Sequence, residues 1–138
     1  MLLRGKNGEK IYLTLEGDNR KKDNWFNVTV NAELPNLSWK ASDRCLQYQE
    51  IQGLIHWLSE INQNVPTTVT KEFIEPEISF KHLSKPDDEL KILRLAFNHN
   101  LLPENVSPKD EISIDITVKT KELNRIIRDF ETAINLNP

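Results

Sequence analysis

Glu111-Ile112-Ser113-Ile114-Asp115-Ile116-Thr117-Val118, followed by the run that opens at Thr120-Lys121-Glu122-Leu123, carries the grammar of the fold. Ile112, Ile114, Ile116 and Val118 alternate with Ser113, Asp115 and Thr117. A period of two sends these sets to opposite faces of a strand, one oily and one wet. At Thr120 the period changes. Leu123, Ile126, Ile127, Phe130 and Ile134 recur at the spacing of a single helical stripe. Thr120 offers a capping oxygen, and Glu122 adds a negative charge where the helix field favours it. A strand with one apolar face beside a helix with one apolar stripe calls for two packed layers.

The same alternation recurs upstream. Over Lys10–Glu16, Ile11, Leu13 and Leu15 point one way while Tyr12, Thr14 and Glu16 point the other. Gly17-Asp18-Asn19 opens a turn that runs to Asn24. Over Trp25–Glu33, Phe26, Val28, Val30 and Ala32 share the inward face, and Trp25, Asn27, Thr29 and Asn31 the outward one. Pro35-Asn36 turns the chain into a short strand carrying Leu37, Trp39 and Ala41, and the three strands read as an antiparallel meander. Ser42 or Asp43 is the expected cap of a first helix running to about Asn62, with Ile51, Leu54, Ile55, Leu58 and Ile61 as its stripe. Further strands are expected at Val69–Ile74, Ile78–Leu83 and Leu90–Asn98. The expected architecture is one α+β domain over residues 1–138: a two-layer sandwich with a largely antiparallel sheet of about seven strands and two amphipathic helices on one face. Each half reads as several strands followed by one helix, a pattern open to duplication.

Composition narrows the function classes. At 138 residues the chain is the length of one domain, long enough for a substantial core. One cysteine excludes an internal disulfide framework. No run of about 18 apolar residues reads as a membrane span, and Met1-Leu2-Leu3-Arg4-Gly5-Lys6 turns polar too early for a secretory leader. The expected location is cytoplasmic. Residues 1–45 carry eight Lys/Arg against six Asp/Glu, and residues 46–138 ten against fifteen. The one basic run, Arg20-Lys21-Lys22, is flanked by Asp18 and Asp23, which argues against direct nucleic-acid binding. A net charge of −3 favours a basic partner over an acidic one.

A catalytic apparatus is not legible. Cys45 lacks a neighbouring base and reads as a small buried hydrophobe. His56, His82 and His99 are too far apart for a short-spaced zinc motif, and His82 falls on the strand face of Ile78 and Phe80, where a hydrogen-bonded imidazole is expected. Four scattered glycines form no phosphate cradle, so neither metal nor cofactor is expected. Glu72, Glu75 and Glu77, with Asp87, Asp88 and Glu89 on the next turn, read as solvated acids, outside the pocket that paired-carboxylate chemistry needs. Large anchors for binding are better supplied. Trp39 faces inward and Trp57 borders the first helical stripe, whereas Trp25 points outward by strand parity.

Asn24-Trp25-Phe26-Asn27-Val28, the stretch Ser38-Trp39-Lys40-Ala41-Ser42-Asp43-Arg44-Cys45-Leu46, Glu50, Trp57-Leu58 and Phe73-Ile74-Glu75-Pro76-Glu77-Ile78-Ser79-Phe80 together resemble the WapI-family immunity proteins. That family shares N-W-hydrophobic-N-V, a W-x-A-[ST]-D-x-C-L turn and a later F-x-E-P-x-hydrophobic-x-F. Arg44 stands where the family often has proline. The resemblance implies an intracellular protein that binds and blocks the toxic domain of a wall-associated, contact-delivered toxin, a nuclease in the best-known case. The expected contact surface is the open sheet face with the acidic turn: Tyr12, Glu16, Trp25, Glu75, Glu77, Asp87, Asp88, Glu89 and Asp115. The alternative is a non-catalytic binding or scaffold module of other function, a homodimer built through the sheet face among the options.

Overall fold

The computed structural model describes residues 1–17, 24–85, 88–107 and 109–136. The turn expected after Gly17, with its basic run, and Asp87 fall outside the described residues. Four strands come first: β1 (Leu2–Arg4), β2 (Lys10–Gly17), β3 (Trp25–Leu34) and β4 (Leu37–Gln47), followed by helix α1 (Tyr48–Asn62). Four more follow, β5 (Thr70–Lys71), β6 (Ile78–His82), β7 (Lys91–Phe97) and β8 (Ile112–Val118), then helix α2 (Thr120–Leu136). Each half is an antiparallel meander in chain order, β1-β2-β3-β4 and β5-β6-β7-β8. The expected α+β class and the strands-then-helix order of both halves hold. The antiparallel layer is split into two four-stranded sheets, and β1 adds a strand too short for alternation to show. No helix among the described residues is long and apolar enough to cross a membrane.

The sheets meet where β1 lies beside β8. Gly5 bridges Ile116, and the Lys6 N–H donates to the Asp115 carbonyl at 3.1 Å. Inward strand positions from both sheets and the stripes of both helices then share one core, from Ile11, Val28 and Val30 to Leu95, Ile116, Leu54 and Phe130. Trp39 ties the first half to the second. Its Nε1 donates to the Leu101 carbonyl at 2.9 Å, and its ring meets Phe97 edge-on at 6.2 Å. Burying a large ring with its one donor satisfied is what makes a tryptophan an economical core residue.

Two boundaries differ from the sequence reading. Helix α1 starts at Tyr48, because β3 is ten residues long and holds β4 in register out to Gln47, so Ser42 and Asp43 sit inside a strand. A register shift opposite Phe26 and Asn27 leaves Cys45 as the extra residue, turning both Cys45 and Leu46 into the core. The helix entry is instead held by Glu50, whose Oε1 accepts from the Gln47 N–H at 2.9 Å, one half of a capping box. Strand β5 keeps only Thr70 and Lys71 of the expected Val69–Ile74. Beyond it Phe73 packs edge-on against Phe80 at 6.4 Å, and the Ile74 N–H goes to Glu50 Oε2 at 2.8 Å.

Candidate functional site

Strand parity decides which side chains reach the reverse of the first sheet. Ile11, Leu13, Leu15, Val28 and Val30 are buried, so their alternates Thr14, Glu16, Asn31 and Glu33 are exposed. No segment among the described residues roofs this face. Tyr12, 38 % exposed, is set opposite Asn31, and Glu16 opposite Asn27. Four residues of extended chain separate the two by about 13 Å. Trp25 opens β3 two residues from Asn27, diagonal to Glu16, and is half-buried. These three expected contact residues therefore share one polar, solvent-facing surface.

Asp115 lies on the outward face of the second sheet. Arg94 on the neighbouring strand donates to both of its oxygens, at 2.7 and 3.1 Å. That hydrogen-bonded pairing, with a smaller contribution from Lys6, holds the Asp115 carboxyl below the usual carboxylate range. It is thus a paired acid, and a partner would have to compete with Arg94. Asp88 and Glu89 are exposed on the turn between β6 and β7, where Asp88 Oδ2 accepts from the Lys85 N–H at 2.9 Å. Glu75 is half-buried.

Glu77 departs from the expectation. Read by parity as an outward acid, it is only 5 % exposed and cannot serve as a docking charge. It precedes β6, where the chain passes against the end of β4, so the alternation that holds within a strand no longer governs it. Burial drives its carboxyl above the ordinary range, and its Oε2 has no hydrogen-bond partner. Cys45 is fully buried, as expected of a small hydrophobe. Burial, reinforced by the charges of Glu77 and Asp43, pushes its thiol above its usual value, against the thiolate form. His82 is the half-buried, hydrogen-bonded imidazole expected from its strand face, with Nε2 2.6 Å from the Ser84 hydroxyl.

The grooves are shallow and open. One of about 410 Å³ runs between the helices, lined by Ser59, Asn62, Asn124, Arg128 and Glu131 among others. The exposed apolar side chains lie elsewhere. Val65, Val69, Ile74, Leu83 and Leu90 flank β5, β6 and β7, and all five stand in connections, although four of them fall within the strands expected from sequence.

The motif residues that carry the resemblance are mostly structural. Trp39 and Trp57 are buried with their donors bonded, Trp57 to the Thr68 carbonyl at 2.8 Å. Glu50 fastens α1 to the segment ahead of β6, and Phe73 and Phe80 pack edge-on. No curated protein and no solved structure matches the chain. The family model described as the immunity protein WapI-like family matches residues 1–138, the whole chain, which therefore belongs to the WapI-like immunity protein family.

Proposed function

We propose that this protein binds and blocks the toxic domain of a contact-delivered toxin, a basic, nuclease-type domain, in the bacterial cytoplasm, and does so by occlusion, without catalysis or a cofactor. Family membership over the full length is the observation that carries the reading. The docking surface we assign is the reverse of the first sheet around Tyr12, Glu16 and Trp25; the exposed acids Asp88 and Glu89 and the half-buried Asp115 and Glu75 belong to the second half and would add acidic charge for steering. Acidic side chains there speed encounter with a basic partner, while the aromatic groups set residence time. The test is to mix the protein with the toxin domain encoded beside it. A complex of nanomolar affinity that abolishes toxin activity is expected, and no complex at micromolar concentration removes the reading.

A second reading rests on the apolar rim beside β5. Apolar side chains left exposed near one another mark a surface that another chain can cover. A homodimer or scaffold built there would appear as a concentration-dependent shift in sedimentation coefficient, weakened by Val69→Lys, with no toxin required.

A further inference from the structure

The ends of the two sheets bring three ligand-type side chains together. Asp43 and Cys45 stand near the end of β4, and Glu77 immediately precedes β6. One oxygen of each carboxylate and the Cys45 Sγ all lie within 4.8 Å of one another. Cys45 is completely buried and Glu77 is 5 % exposed, while Asp43 is half-buried and opens the cluster toward solvent. Two carboxylates and a thiol packed this closely repel one another as they ionise. The second observation is independent of the clustering. Glu77 Oε2 is buried without any hydrogen-bond partner, the state that a native carboxylate avoids unless it meets an ion or a proton.

We propose that Asp43, Cys45 and Glu77 form a binding site for one divalent transition-metal ion of zinc type, with a fourth position open on the Asp43 side. The chemistry of the donors selects the ion. A thiolate favours zinc over magnesium or calcium, and two carboxylates are acceptable partners for it. Zinc bonds of about 2.0–2.3 Å put tetrahedral ligand atoms about 3.3–3.5 Å apart, so the cluster closes on the ion by side-chain rotations of about 1 Å. The ion's charge reverses the local electrostatics. It holds Cys45 as thiolate, releasing its proton to solvent, and supplies Glu77 Oε2 with the partner it lacks. The site would clamp β4 to β6, the two sheets at their ends away from the β1–β8 junction. Zinc motifs are sought as short spacings, and these ligands come from strands of different halves, so no spacing announces it.

The experiment uses the full chain, stripped with chelator, and zinc chloride alone. One equivalent of zinc is expected to bind at micromolar affinity or tighter, and a hundredfold excess over the dissociation constant to raise Tm by roughly 5–10 °C. Cobalt substitution should give a thiolate-to-cobalt charge-transfer band that Cys45→Ser abolishes. Glu77→Gln should abolish the zinc-dependent rise in Tm while raising the Tm of the metal-free protein. Should either buried variant fail to fold, Asp43→Asn at the half-buried position carries the test, with at least tenfold weaker zinc binding expected. An unchanged wild-type Tm with zinc, a cobalt spectrum without the thiolate band, or zinc binding unaffected by these substitutions overturns the site. Because no toxin enters the experiment, its failure leaves the immunity reading where it stood.

Discussion

The reverse face of the first sheet and the junction between β4 and β6 are built from similar residue types and do opposite things with them. On the sheet face, Glu16 and its polar neighbours stay in water, where a charge costs nothing to keep and is available to a partner. At the junction, Glu77 and Cys45 have been carried out of water, one with an oxygen left unpaired. Burial decides the role of an acid more than its identity does. An exposed carboxylate steers association, and a buried one either finds a counter-charge or weakens the fold.

That comparison can be broken at its foundation first. Both regions depend on one core shared by the two halves, so damage in either half should be felt throughout. Phe97→Ala, at a fully buried position against Trp39, should cost about 3–5 kcal/mol. Denaturant unfolding should remain a single transition by both tryptophan fluorescence and far-UV circular dichroism. Two separated transitions would mean that the halves fold independently and that the junction is an interface between them.

The junction itself gives the next largest effect. In metal-free protein Glu77→Gln should stabilise by about 1–3 kcal/mol at neutral pH, because it removes a buried charge with an unpaired oxygen. The sign of the pH dependence follows from the raised carboxyl. The folded state binds this proton more tightly than the unfolded state, so the burden is present above the folded pKa and is relieved as pH falls toward the unfolded value. The advantage of the glutamine variant should therefore shrink in acid, as measured by urea midpoints across pH.

Trp39→Phe sharpens the link between the halves. It leaves the Leu101 carbonyl without its donor and should cost about 1–2 kcal/mol in the same measurement. The smallest effect is expected at the exposed pair. Asp115 has a depressed carboxyl because Arg94 bonds to it, so its contribution is present above the ordinary carboxylate range and is lost as pH falls through the lowered value. Asp115→Asn should lower stability near pH 7 slightly, by less than about 1 kcal/mol, and the difference from wild type should vanish in acid, which flattens the acid limb.

Much of this molecule is legible in its sequence, and the illegible parts share a cause. Alternation at Ile11–Leu15, Phe26–Ala32 and Ile112–Val118 names the buried face because a pleated strand has no other way to dispose its side chains. The stripe Leu123–Ile134 names the inner face of α2 for the same reason. Ser42-Asp43 looked like a helix cap because local chemistry favours it, but pairing with the long β3 overrides that preference and moves the cap to Gln47. The sheet-face candidates Tyr12, Glu16 and Trp25 come together as parity requires. Glu77 does not, since its burial arises from contact with β4, more than thirty positions away along the chain. Contacts of that range leave no periodic trace.

The central claim is that the open reverse of the first sheet docks a toxin domain. Tyr12→Ala combined with Glu16→Lys changes that face without touching the core, so the variant should fold with an unchanged Tm. Titration calorimetry of this variant against the neighbouring toxin domain should show affinity reduced by at least tenfold, with protection of cells reduced in parallel. Wild-type affinity in the folded variant would contradict the account and move the contact surface elsewhere on the molecule.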